Sequence, residues 1–339
     1  MKWEVKHTFD AGLDFSAFDN RLNLTVDWYK SKTKDLLYTY TVPVPPFTYN
    51  TLLANMGSMS NNGLEFGVNG DIIRTSDFTF SSNVNLSFQR NKLLSLDGTY
   101  KGQKLTTSEH IMVSRINAAG LTQNYGVAYL IVGQPIGVFY LPHCEGIDKN
   151  GQYIISDLNH DGTIDTGDSG DRKVCGNAIP KTYLNWNFTF KYKNWDLTTQ
   201  FNGAFGFKIY NGTGMTYSNM NNFPTYNVLA DAPAKGIHDI QISDYWLKNG
   251  DYVNFEYVTL GYNFTKKQLK AKWIQSLRLA FSVNNVCTIT GYKGLTPMIN
   301  SASLVQQSEG TTNYGTLGVD DKRIYPLTRT FSLSVSVHF

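Results

Sequence analysis

The chain has 339 residues, with 30 Lys and Arg against 27 Asp and Glu and a formal net charge of +3. So even a balance excludes a nucleic-acid surface built on bulk charge, and it excludes an acidic tail. Charged residues are 17% and aromatics 14%, against roughly 25% charged in ordinary soluble domains, a mixture that suits many strands, few helices and large surfaces kept from bulk water.

The first alternating segments in chain order are "FDAGLDF" (Phe9–Phe15), "LNLTVDW" (Leu22–Trp28), "LEFGVNGDI" (Leu64–Ile72) and "FTFSSNVNLSF" (Phe78–Phe88). After a long interval come "LNWNFTFKY" (Leu184–Tyr192), "LTTQF" (Leu197–Phe201), "LRLAFSV" (Leu277–Val283) and "FSLSVSVHF" (Phe331–Phe339). A period of two predicts strands with one apolar and one polar face. The apolar face carries Phe, Trp, Leu and Val, the other Asn, Ser, Thr, Asp and Gln. No apolar stretch reaches the ~20 residues of a membrane helix; the longest, "VAYLIV" (Val127–Val132), has six.

A soluble sandwich also alternates, so the connections decide. Short ones fall near 17–21, 74–77 and 193–195 and a medium one at 265–275; long ones span 38–60, 90–181, 206–251 and 287–326. Nine strands are predicted, at 8–16, 21–36, 61–73, 77–90, 182–193, 196–206, 252–264, 276–287 and 327–339. Short turns at one end and long loops at the other describe an all-β fold, an antiparallel transmembrane β-barrel, apolar outside and polar within. In "YVNFEYVTLGYNF" the apolar parity switches between Tyr257 and Val258, which predicts a bulge or an upper half beyond the bilayer.

Several ordered motifs also carry a family resemblance. "NRLNLTVDWYKSKTKDLL", "NMGSMSNNGLEFGVNG", "DYWLKNGDYVNFEYVTLGYNF", "SLRLAFSVNNVCTITGYKG" and the terminal "TRTFSLSVSVHF" are similar to the C-terminal barrel of SusC/RagA-type TonB-dependent outer-membrane transporters. The resemblance implies the cell outer membrane, with the lipid bilayer around the strands. It implies import of oligosaccharides or oligopeptides, energised by a TonB complex through a plug and covered by a SusD-like surface lipoprotein. The terminal Phe339 resembles the signal read by the outer-membrane assembly machinery; the plainer reading is that it ends an apolar face. Such plugged barrels have about 22 strands. Residues 1–339 are therefore expected to be the C-terminal portion of a larger barrel, with plug, signal peptide and N-terminal strands absent. "MKWEVKHTFD" has no apolar h-region, and lipid does not tolerate two unpaired sheet edges.

No catalytic constellation emerges: His7, His110, His143, His160, His238 and His338 lie far apart, none in metal or triad spacing, so no enzyme is expected. The strongest local motif is "DLNHDGTIDTGD" (Asp157–Asp168). Its spacing offers Ca2+ oxygen ligands from Asp157, Asn159, Asp161, the Thr163 carbonyl and Asp165, with Asp168 at the twelfth position and Gly162 at the turn. A solvated Asp/Asn/Gly turn is the metal-free reading. A calcium sensor would need flanking amphipathic helices; "NGQYIIS" precedes this loop and the strand "YLNWNFTF" follows it.

Cys144 and Cys175 bracket the loop, as a disulfide closing about 30 residues or, given three cysteines in all, as free thiols. The aromatic and Asn-rich segment Phe205–Asn227 is a candidate substrate surface, while Trp28, Tyr29, Trp195, Tyr262 and Trp273 fit interfacial girdles. The rival to a transporter is a secreted or surface β-rich binding module with calcium-stiffened loops.

Overall fold

A computed structural model describes residues 2–339 except 101, 106, 117–124, 169, 271–272, 300–305, 309–310, 314–316 and 322–326. Nine long strands form one sheet: β1 (Val5–Ala17), β2 (Leu22–Thr41), β3 (Thr51–Arg74), β4 (Phe78–Ser95), β5 (Thr182–Tyr192), β6 (Trp195–Phe205), β7 (Tyr252–Thr265), β8 (Ser276–Thr290) and β9 (Thr330–His338). Each pairs antiparallel with its neighbours in chain order, and among the described residues β1 and β9 are the sheet's two edges. All nine predicted strands are present in the predicted order.

The register makes the alternation collective. One row runs Leu13, Val26, Phe66, Leu86 and Leu184; another runs Leu260, Phe281 and Leu333 across β7, β8 and β9. These side chains stack with one another, as Phe80 does on Phe190 at 4.4 Å and Phe201 on Phe255 at 4.4 Å. Yet Leu333 remains 75% exposed and Phe281 48%. No described element covers this outer face. The opposite face is a ladder of amides: Asn83 opposes Asn187, Asn187 opposes Gln200, Asn185 opposes Asn202, and Asn202 opposes Asn254. An ion pair between Arg278 and Asp196, bridged to Asn263, lies on the same inner face.

Turn chemistry follows local sequence. Between β1 and β2, Phe18, Asp19 and Asn20 all have φ between 54° and 60°, a left-handed run that Asp and Asn tolerate and Phe does not favour. Between β7 and β8, a short helix (Lys266–Leu269) starts where the Thr265 N–H donates to Gln268 Oε1 at 2.9 Å, the return arm of a capping box.

Two boundaries differ from expectation. The predicted loop at 38–60 is mostly strand, because β2 and β3 have 20 and 24 residues and leave only 42–50 between them. A tilted membrane strand needs about 9–11 residues, so this hairpin continues past the apolar rows, where nothing imposes an apolar face. Register shifts at Lys34/Leu36 and Leu36/Leu37 mark the change. The parity break in β7 is a bulge, as predicted, but one residue earlier: Gln200 faces Tyr257 and Phe201 faces Phe255, leaving Glu256 as the extra residue. Tyr257 thereby joins the polar face.

The long connections pack together. Segments 96–181, 206–251 and 291–329 share one core, including Ile116, Val127, Phe139 and Leu141 from the first, Tyr210, Met215 and Trp246 from the second, and Leu317 and Val319 from the third. A four-stranded sheet in the order Arg172–Asn177, Val138–Pro142, Tyr125–Ile131, His110–Ile116 anchors it. The strand Lys208–Asn211 pairs parallel with Val319–Asp320. Nine strands thus carry a folded cap at their long-loop end.

Candidate functional site

The Asp157–Asp168 loop lies on the cap, between the strands Tyr153–Ile155 and Arg172–Asn177. Its oxygens are turned inward on its own backbone. Asp157 Oδ1 accepts from His160 N–H at 2.7 Å and Oδ2 from Gly162 N–H at 2.9 Å. Asn159 Oδ1 accepts from Asp161 N–H at 3.0 Å, and Asp161 Oδ1 accepts from Thr163 N–H at 2.8 Å. Asp165 Oδ1 accepts from Gly167 N–H at 2.8 Å. Gly162 has φ +84° and open space where a Cβ would stand, so the turn selects glycine by backbone conformation. The Thr163 hydroxyl and amide hold the Asp161 carboxyl below its ordinary range.

Asp168 departs from the group. Its Oδ1 accepts from the Tyr129 hydroxyl at 2.6 Å and lies 3.5 Å from Arg172 Nη1. Asp157, Asn159 and Asp161 are thus joined in one tight turn, and the twelfth-position carboxylate is tied to the cap strands. Among the described residues no group of three or more His, Cys, Asp and Glu stands close enough to hold a metal ion.

Two residues that sequence reasoning missed hold the loop in place. Asp171 is 0% exposed and accepts from the N–H groups of Leu158 at 2.7 Å, Asp165 at 2.9 Å and Asn159 at 3.2 Å. Arg172, its side chain 1% exposed, donates Nε and Nη2 to the Thr166 carbonyl at 3.0 and 2.8 Å. Its Nη1 donates to Tyr129 Oη at 2.9 Å and to the carbonyls of Tyr140 at 3.1 Å and Gly126 at 3.2 Å. Burial raises the Tyr129 hydroxyl well above its usual range, so it remains a donor to Asp168. Neither residue belongs to a local motif; only the fold brings its partners together.

Asp171 gives the loop a pH dependence of known sign. The backbone amide of Asp165, then those of Leu158 and Asn159, lower the Asp171 pKa despite burial. A depressed carboxyl stabilises the fold fully above its unfolded pKa, near 3.9 for aspartate, and loses that contribution as pH falls through the lower folded value. The protection factors of the Leu158, Asn159 and Asp165 amides, taken against intrinsic exchange at each pH, are therefore expected to be high at neutral pH and to fall below about pH 4. Asp171→Asn is expected to exchange fast at both; unchanged protection in that variant would refute the pinning role.

The remaining candidates fall as follows. Cys144 and Cys175 are free thiols, donating to the carbonyls of Gly146 at 3.1 Å and Lys173 at 3.2 Å. Burial pushes the Cys175 thiol up to about 11. Asp244 lies beside both, accepting from Cys144 N–H at 2.9 Å and bonding His143 Nδ1 at 2.7 Å. Of the 205–227 segment, Tyr210, Met215, Ser218 and Asn219 are interior to the cap, and Phe223 and Tyr226 are its exposed aromatics. Trp28, Trp195 and Trp273 are exposed on the outside, with Trp195 edge-on to Tyr262 at 4.7 Å. Tyr29 is not a girdle residue: it pairs with Asp10 and Gly63 on the inner face, one step out of phase with Trp28. Phe339 is 77% exposed and stacks on Trp273 at 5.5 Å.

Comparison with known proteins matches this geometry. Residues 1–286 match the family model described as TonB dependent receptor-like, beta-barrel. The whole chain aligns at 29% identity with TonB-dependent receptor P3 of Formosa agariphila, covering 34% of it, and at 29% with TonB-dependent receptor SusC of Bacteroides thetaiotaomicron, covering 32%. Among solved structures, the RagAB peptide transporter superposes over 99% of this chain and 36% of its own, with TM-score 0.74 at 20% identity. The RagAB importer in its open-open state gives 0.75, over 100% and 35%. The chain spans about a third of the length of these relatives.

Proposed function

The chain belongs to the TonB-dependent receptor β-barrel family of the outer membrane, and on that premise we propose that it forms part of the wall and outer cap of an importer for oligosaccharides or oligopeptides. The observation that carries this reading is the register: an apolar face and a polar face, the latter amide-lined on β4–β7, run through nine strands, shifted only at bulges, into a folded cap at a single end. An amide-lined lumen offers donors and acceptors to hydroxyls and peptide groups alike. In this proposal a TonB complex supplies energy, and a SusD-like surface lipoprotein covers the cap. The exposed terminal Phe339 serves the outer-membrane assembly machinery as its recognition signal. The rival, a secreted binding module, would leave a nine-strand apolar face in water, which soluble monomers avoid.

The test is growth of the source organism on a panel of defined glycans and peptides with the full-length gene deleted. The expected result is loss of growth on one class of oligomer and normal growth on its monomers. Unchanged growth on every oligomer would overturn the import reading.

We also propose that a structural Ca2+ draws together Asp157, Asn159, Asp161, Thr163 and Asp165 as oxygen ligands, exchanging their bonds to the loop's own amides for the ion, with Asp168 left on Tyr129 and Arg172. The support is the donor set, hard oxygens at the spacing calcium loops use. Calorimetry of the folded full-length protein is expected to show calcium-binding heat that Asp161→Ala removes; no heat in the parent protein would sink the site.

A further inference from the structure

Outward side chains on β1–β4 change character abruptly toward the cap. The last fully apolar row is Ala11, Trp28, Leu64 and Phe88. The next outward row places Lys30 and Arg90 on either side of Asn62, and the one after it places His7, Lys32 and Lys92 around Ser60. Lys34 follows, between Val5 and Ser58. All five Lys and Arg side chains are exposed. None of them is in an ion pair among the described residues.

No Asp or Glu occupies an outward position in these rows. Asp10, Asp14, Asp27, Glu65 and Asp71 of the same strands register on the inner face, and Asp35 falls at the Lys34/Leu36 register shift. Two acids at this end of the sheet are already engaged: Glu4 accepts from Leu37 N–H at 2.9 Å, and Asp35 pairs with Lys2 at 2.7 Å. Lys6 also registers inward, opposite Thr33, so the acids of these rows stand within while five cations stand without.

Height places these cations. At about 3.3 Å per residue and a tilt near 45°, the first basic row stands about 5 Å and the second about 9 Å above Trp28 and Phe88. That is headgroup depth, where long stems lie along the apolar surface and the charges reach outward. Five like charges facing one way repel each other unless an anion covers them, and an Arg fork matches phosphate oxygens in pairs.

We propose that Lys30, Lys32, Lys34, Arg90 and Lys92 form a docking belt for the phosphorylated headgroups of the leaflet on the cap side. This rests on the membrane reading of the sheet. The belt anchors the barrel wall at a fixed height and orders acidic lipid around β2 and β4.

The test uses the full-length protein in micelles seeded with diphosphoryl lipid A or its dephosphorylated form, with retained lipid counted by mass spectrometry. The parent protein is expected to retain the phosphorylated lipid about tenfold better than the dephosphorylated one. The variant Lys30→Gln/Lys32→Gln/Arg90→Gln/Lys92→Gln is expected to lose about tenfold or more of that retention. Equal retention by the variant, or of both lipids, would overturn the belt. Quenching of Trp28 by brominated lipid is read in parallel on both proteins. Quenching in both shows that the variant folds and the apolar face meets lipid; its absence in the parent overturns the membrane reading and the belt together.

Discussion

Replacing Val84 with arginine is expected to cost about 2–4 kcal/mol of folding stability in a bilayer, the penalty for a cation on the lipid face near mid-depth. Val84 is near the middle of the outward positions between Phe78 and Phe88 on β4, opposed by Val68 on one side and Trp186 on the other. The adjacent Asn85→Arg points to the amide face, where Asn85 opposes Gly67 and Asn185, and is expected to cost much less because the new charge enters water. Urea unfolding of the full-length protein in vesicles measures both. Equal costs for the two neighbours would mean that the faces are not lipid and lumen.

Arg172→Ala is expected to be the most damaging single change in the cap, destabilising it locally by about 3 kcal/mol. It removes charge-assisted bonds to the carbonyls of Thr166, Gly126 and Tyr140 from a side chain that is almost wholly buried. Tyr129 also loses the partner that aligns it toward Asp168. Arg172→Lys is expected to recover little, since one ammonium cannot reach carbonyls arranged around a planar fork. Hydrogen exchange across the strands Tyr125–Ile131 and Val138–Pro142 reports the opening. Full protection in the lysine variant would show that charge alone suffices.

The barrel sheet was legible in the sequence because one constraint acts on every strand at once. Lipid requires an apolar side chain at every second position, so Leu184 through Tyr192 announces its face without knowledge of its neighbours. Where that constraint lapses, the reading lapses with it. Residues 38–41 and 51–60 are strand outside the apolar rows and lack a sustained alternation, so they read as loop. Tyr29 adjoins Trp28 in an aromatic pair of girdle composition, and only parity separates its inner face from the outer face of Trp28.

The cap was hidden for a different reason. Its strands are short, and "VAYLIV" places Val127, Ala128 and Tyr129 all in the interior, so no period of two marks it. Its core joins Ile116, Trp246 and Val319 from three separate connections, a coincidence that no local window contains. The acidic loop divides along the same line. Asp157, Asn159 and Asp161 are neighbours in sequence and in space, while Asp168 and Asp171 take their roles from Arg172, Tyr129 and backbone amides that the fold delivers.

The central claim is that consecutive residues of each long strand face lipid and lumen in turn. Nitroxide scanning of Ser276–Val283 on β8, in the full-length protein in vesicles, tests it most directly. Oxygen accessibility is predicted to peak at Leu277, Leu279, Phe281 and Val283, the positions paired with Val337, Val335, Leu333 and Phe331. Accessibility to a water-soluble reagent is predicted to peak at Ser276, Arg278 and Ser282, on the opposite face. A scan without a period of two, or with water reaching both sets alike, would contradict the membrane-spanning sheet.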